Sequence, residues 1–295
     1  MNILQRLSEI HELPTLPEVV LRIQAMVNSD EGDAKMLSRI IEQDPAVASK
    51  ILKIANSSFY SSSQRITSIT RAITRIGFNE VGHIALAISL IKKFSGKSDI
   101  LDYKQFWRHA LTGAFLTSMV AKTSKVAFSD AERQALFLSG LLHDIGILIY
   151  DQFFHEEFER IIQYAYSKNM TYLEAEQNVT PSATHAALGA ALLELWKTDF
   201  LVTSGVRFHH TPQKAPVNHR AVVSAAYFSE YILCTSGLEC FEGFISNGDK
   251  DILHYLQITP STLSDYIKQA EYEVERSDLI LAMNSTDDIL QLRAI

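Results

Sequence analysis

Along the 295-residue chain the apolar side chains recur three and four positions apart, and no stretch of any length alternates apolar with polar residues as a half-buried strand requires. Each such segment carries one apolar stripe, and stripes of this kind are buried only against one another. The pattern predicts an all-α fold, a multi-helix bundle. Hydrophobic residues make up 47% of the chain, enough for one large core or two smaller ones.

Local signals set the segments. Thr15 and Glu18 have the spacing of a capping box, followed by Leu16, Val20, Ile23 and Val27 on one face. A helix over 34–43 ends at Asp44-Pro45, where Asp44 caps the next helix and Pro45 opens it. That helix closes near Asn56. Asn56, Ser57 and Ser58 resemble a binding loop, but the plainer expectation is that the Asn56 amide satisfies backbone groups in a turn. Helices follow over 67–76 and 79–94, broken at Gly77 and recapped by Asn79. After the polar stretch 95–100, helices are expected near 102–121, 130–149, 154–168, 171–178, 183–196 and 199–210. Residues 211–219 carry two prolines and read as a connection. Helices near 219–235, 249–257, 260–273 and 276–284 close the pattern. The expected divisions are 1–100, 101–212 and 213–295, the last a helical extension packed on the middle part.

A net charge of −7 argues against a broad phosphate-binding surface, so nucleic acid is not an expected partner. Cys234 and Cys240 are too few for a disulfide framework and read as reduced thiols. Residues 1–14 lack the apolar core of a signal peptide, and no run reaches the roughly 18 apolar residues of a membrane span. These features predict a cytoplasmic protein with no membrane partner.

Against this background the run LLHDIGILIY, residues 141–150, is anomalous. His143 and Asp144 stand in an apolar segment, where an unpaired imidazole and carboxylate are costly. Gly140 and Gly146 flank them, and glycine within a helix costs up to about 1 kcal/mol relative to alanine, which points to close packing or a site. His109 lies on the stripe of Phe106, Gly113, Leu116 and Val120. His185 shares a face with Leu188, Leu192 and Leu195, and His209 and His210 end an apolar segment. Any one of these histidines is accounted for by a backbone carbonyl. Together, His109, His143, Asp144, His185, His209 and His210 are six inward N/O donors, a set suited to Fe, Mn, Zn or Ni in a helical bundle. His11, His83, His155, His219 and His254 have no such company.

The segments LPTLPEVVLRI (13–23), DPAVASKILKIANSSFY (44–60), ITSITRAITRIGFNEV (66–81), FWRHA (106–110), LLHDIG (141–146), THAALGAALLELW (184–196) and FHHTP (208–212) occur in the order seen in a known family. Over roughly residues 10–212 the chain resembles the HDOD proteins, a divergent branch of the HD-domain superfamily found in bacterial signal transduction. The resemblance implies an HD-domain-like helical core with an N-terminal helical subdomain. It also implies a regulatory or signalling role, usually without demonstrated catalysis, and a partner signalling protein is expected. Catalytic HD relatives are metal-dependent phosphohydrolases and phosphodiesterases. Their motif is a His, a His-Asp doublet and a distant Asp, with further histidines in binuclear members. By position these correspond to His109, to His143 and Asp144, and to His185, His209 and His210.

The resemblance also implies departures. The distant Asp falls at Ala226 within AVVSAAYFSEYI (221–232), where Glu230 is the first carboxylate. Gln105 replaces a Glu, Ile147 replaces a Lys, and the GYP segment of the cyclic-di-GMP-cleaving branch is absent. Two functions remain open: a non-catalytic signalling module with an incomplete metal site, or a metal-dependent phosphohydrolase or phosphodiesterase acting on a nucleotide or cyclic nucleotide, with Asp144 positioning or deprotonating the attacking water; a phosphate or nucleotide ligand fits either. A structural or sensory metal lies between them.

Overall fold

The computed structural model describes residues 3–10, 13–27, 32–60, 64–96, 98–241 and 248–283. In chain order its α-helices are α1 (Ile3–Glu9), α2 (Glu18–Val27), α3 (Ala34–Glu42), α4 (Pro45–Ala55), α5 (Ile69–Ile76) and α6 (Phe78–Lys93). They continue with α7 (Tyr103–Thr123), α8 (Asp130–Leu142), α9 (Ile145–Phe153), α10 (His155–Lys168), α11 (Tyr172–Val179) and α12 (His185–Leu195). The last are α13 (Phe200–Phe208), α14 (Arg220–Thr235), α15 (Lys250–Tyr255) and α16 (Pro260–Ala282). No strand occurs among the described residues, so the all-α expectation holds. No helix among them is long and apolar enough to cross a membrane.

The chain divides into two compact units, one of Met1–Leu13 with Gly96–Val274 and one of Pro14–Ser95 with Glu275–Ile295. In the second unit α2–α6 bury Val20, Ile23, Leu37, Ile41, Ile51, Ile54 and Ile84. Asp44 caps α4 by accepting from the Ala46 and Val47 amides at 3.0 and 3.2 Å. Asn56 takes its expected structural role. Its Nδ2 donates to the Leu52 and Ile66 carbonyls at 2.7 and 2.8 Å, and its Oδ1 accepts from the Ile66 amide at 2.8 Å.

Four boundaries differ from the sequence expectation. α2 starts at Glu18 rather than behind a Thr15 cap, because Pro17 disfavours helical geometry at Leu16. Asn79 lies inside α6, which follows directly on Gly77 at φ 110°. The two helices expected over 260–284 are one, α16. Most important for the site, the helix expected over 130–149 is two helices, and His143 and Asp144 occupy the joint between them.

In the first unit α7, α8, α13 and α14 pack together, and α12 lies against α9 and α13. α8 is started by a capping box, Ser129 with Glu132. Glycines permit two close crossings. A methyl on Gly140 would sit 2.7 Å from Ala114 Cα and 2.9 Å from the Gly113 oxygen of α7. A methyl on Gly146 would fall on the His185 carbonyl of α12, 2.7 Å from its carbon. These two contacts set α8 against α7 and α9 against α12 at the level of the polar cluster.

Candidate metal centre

The donor side chains reach the bundle centre from helix ends. His143 follows the last residue of α8, Asp144 precedes α9, His185 opens α12, and His209 and His210 follow α13. His109 projects from the interior of α7. His143 and His209 also close their own helices. The Nδ1–H of His143 donates to the Gly140 carbonyl at 2.7 Å, and that of His209 to the Val206 carbonyl at 2.6 Å. Each pairing joins a ring to the residue three positions earlier, on a carbonyl that the helix end would otherwise leave open. The Nδ1–H of His109 donates to the Leu238 carbonyl at 2.8 Å, across from the turn after α14.

These bonds fix the chemistry of the opposite nitrogens. A carbonyl only accepts, so Nδ1 carries the proton, and in the neutral ring Nε2 is a bare lone pair. The Nε2 atoms all point to one place. Those of His109 and His143 are 2.9 Å apart, and that of His185 lies 3.3 Å from His209 and 3.0 Å from His210. Asp144 joins the two sets. Its Oδ2 lies 3.3 and 3.4 Å from the Nε2 atoms of His109 and His143, and its Oδ1 3.3 and 3.4 Å from those of His185 and His209. His109, His143, Asp144, His185 and His209 are all buried.

The sequence reading missed one member. Glu230, buried on α14, places Oε2 3.2 Å from His109 Nε2 and 3.3 Å from His143 Nε2. It stands four residues, about one turn, after Ala226, where the resemblance placed an Asp. Position 226 itself carries no carboxylate, as read from the sequence, but Asp144 is not the only carboxylate at the cluster. The usable signal was Glu230 itself, a lone carboxylate in an apolar helix. Gln105 and Ile147 stand apart from the donors: Gln105 Nε2 donates to the Glu239 carbonyl at 3.0 Å, and Ile147 is buried in α9.

Facing lone pairs repel unless a cation lies between them, so the cluster must hold protons or metal. Both Asp144 oxygens and Glu230 Oε2 are buried and receive no aligned hydrogen bond. The donor set of imidazole and carboxylate suits a divalent transition metal. Among the described residues two groups have donor atoms within 4.8 Å of one another: Asp144, His185, His209 and His210, and His109, His143 and Asp144. Without metal the cluster holds protons instead. Burial works against a charged ring, yet the Glu230 carboxylate, with Asp144, lifts His109 to about 9. Burial is likewise outweighed at His185 by Glu176 and Asp144, which lift it to about 10. His143 is raised well above its ordinary value, against burial, chiefly by the Asp144 charge. His209 and His210 are lowered, first by burial.

This arrangement defines the class: an all-helical HD-domain-like protein with a buried His/Asp cluster. The chain belongs to the HDOD domain family, whose profile matches residues 13–212. It is 25% identical over 230 residues to an uncharacterized protein of Treponema pallidum (strain Nichols), a match covering 75% of this chain and 42% of that one. The chain spans less than half the length of the curated relatives it matches. Among solved structures it is similar to a candidate signal transduction protein from Marinobacter aquaeolei VT8, with TM-score 0.74 and 23% identity, over 96% of this chain and 61% of that one. It is also similar to an HDOD domain protein with unknown function from Geobacter sulfurreducens, with TM-score 0.72 and 24% identity, over 95% of each chain.

Proposed function

We propose that this chain is a non-catalytic HDOD signalling protein that holds a divalent transition metal in a closed bundle site and acts through a partner protein. The observation that supports this reading is closure. The donor atoms stand about as far apart as hydrogen-bonded atoms, and the side chains of His109, Asp144, His185, His209 and Glu230 are at most 1% exposed and that of His143 5%, leaving half-buried His210 as the most open donor. A catalytic metal site needs an open position and a path for substrate. Ile147 offers no positive charge to a phosphate, and Gln105 is engaged with the backbone of Glu239.

A second reading, a metal-dependent phosphohydrolase, draws support from Glu230, which supplies the carboxylate that the departure at Ala226 removes. A bound divalent metal would supply Lewis acidity and an acidified water at this site. The donors would be His109, His143, Asp144, His185, His209, His210 and Glu230, and Asp144 would orient that water. The test is turnover of cyclic di-GMP and bis(p-nitrophenyl) phosphate by metal-loaded protein. The expected result is no rate above that of His143→Ala. Turnover abolished by His143→Ala would establish the second reading and overturn the first.

A further inference from the structure

The two donor groups are not equivalent, and the difference traces to a residue that is not itself among the donors. The Nδ1 atoms of His109, His143 and His209 face main-chain carbonyls. That of His185 faces a carboxylate, Glu176 on α11, at 3.1 Å from Oε1 and 2.9 Å from Oε2. Glu176 is fully buried. Its Oε1 also accepts from the His185 main-chain N–H at 2.5 Å and from the Tyr172 hydroxyl at 3.4 Å. It therefore fixes the first residue of α12 from two directions. A carboxylate behind an imidazole makes the far nitrogen a stronger donor and locks its direction.

The group around Asp144 Oδ1 thus has three imidazoles, from His185, His209 and His210, with its second negative charge delivered indirectly through His185. The group around Asp144 Oδ2 has two imidazoles, from His109 and His143, and a second carboxylate, Glu230, directly against them. Nitrogen-rich sets favour borderline cations such as Zn²⁺, and added carboxylates shift preference toward harder ones such as Mn²⁺.

Resting on the metal-centre reading above and on the two positions that the binuclear relatives imply, we propose that Glu176 and Glu230 make those positions unequal: Glu176 tunes the imidazole-rich one, through His185, for a Zn²⁺-type ion, and Glu230 biases the other toward a Mn²⁺-type ion. Glu176 is a positioning residue, since it acts only through His185.

The experiment uses EDTA-stripped full-length protein. Zn²⁺ is titrated in competition with a chromophoric chelator, and Mn²⁺ binding to the Zn²⁺-loaded protein is followed by electron paramagnetic resonance. Glu176→Gln keeps the Oε1 acceptor for the His185 amide and removes the charge. It is expected to weaken Zn²⁺ binding roughly 10–100-fold with Mn²⁺ uptake unchanged. With Co²⁺ in place of Zn²⁺, the visible absorption of the folded, metal-loaded protein should shift in Glu176→Gln, a change at the metal that a purely structural role would not produce, while the metal-free protein also loses the stability of the buried His185–Glu176 pair. Glu230→Gln is expected to do the converse, losing Mn²⁺ and keeping Zn²⁺. Equal effects of each substitution on both ions, or Zn²⁺ binding identical in Glu176→Gln and wild type, would overturn the proposal. If Glu176→Gln does not fold, Glu230→Gln decides: loss of Mn²⁺ alone supports the proposal and loss of both ions overturns it. Wild-type protein that takes up neither ion would overturn the metal centre itself, a result distinct from equal binding.

Discussion

Gly146→Ala separates two opposed forces. By intrinsic propensity alone, alanine in α9 is worth up to about 1 kcal/mol of added stability. The packing predicts the opposite. The new methyl would fall on the His185 carbonyl, 2.7 Å from its carbon and 2.9 Å from the Gly189 nitrogen, where ordinary contact begins at 3.4 Å. The three nearest atoms it meets all belong to backbone, which cannot turn aside as a side chain can, so α12 must retreat. Overpacking of this kind costs about 1–3 kcal/mol, and a backbone obstacle places the cost at the upper end. The net loss of about 2 kcal/mol lowers the melting temperature of a unit this size by roughly 4–8 °C. Because metal donors tolerate displacements of only about 0.2 Å, the same retreat pulls His185 away from Asp144 and removes metal binding by the group of Asp144, His185, His209 and His210. Gly189→Ala is the control. Its nearest contacts are the side-chain methyls of Ile145 and Val206, each at 3.0 Å, which can yield, so its effect should be smaller. The assays are thermal unfolding of metal-free protein and chelator competition. A Gly146→Ala protein as stable as wild type, or more so, would refute the close α9–α12 crossing.

Three further outcomes are expected. The metal-free protein should lose stability as pH rises from 6.5 through about 9 and 10. The folded-state values of His109 and His185 are raised to about 9 and about 10, so their contribution is complete below the unfolded value and is lost as each ring deprotonates; urea midpoints of EDTA-treated protein across this range check it. Glu230→Ala should weaken metal binding, and the added change Ala226→Asp, one turn earlier on the same face, should restore much of it, as read by chelator competition. Asn56→Ala removes three hydrogen bonds to backbone and should cost about 1–3 kcal/mol in denaturant unfolding, with metal content unchanged.

The sequence made the helices legible because each carries its own stripe and stop signals, and it exposed His109, His143, Asp144, His185, His209 and His210 because polar residues on apolar stripes stand out. It hid the joint at His143 and Asp144. Apolar periodicity runs through LLHDIGILIY without interruption, and the break rests on the backbone of Asp144, at φ −101° and ψ 10°, rather than on a local stop residue. It also hid two carboxylates: Glu230, a member of the cluster, and Glu176, which stands behind His185. Glu230 was missed because one position, Ala226, was expected to carry the ligand. Glu176 lies in a short helix with charged neighbours, and nothing in its local pattern marks it as buried; only the approach of α12 makes it so. Residues whose roles depend on two elements meeting are the ones a one-dimensional pattern conceals, and His11 lies outside the described residues altogether.

If the cluster is one metal centre, Asp144 is the residue that joins its two groups of histidines. The most direct measurement is elemental analysis of the full-length protein purified without added metal, for wild type, His143→Ala and Asp144→Asn. The side chain of Asp144 makes no capping bond to α9, so Asn at this position leaves the helix start intact. The expected result is Fe, Mn, Zn or Ni bound in stoichiometric amount in wild type, partial loss in His143→Ala, which touches one group, and near-complete loss in Asp144→Asn, which touches both. Metal content unchanged by Asp144→Asn, or wild-type protein that neither carries nor accepts these ions, would contradict it.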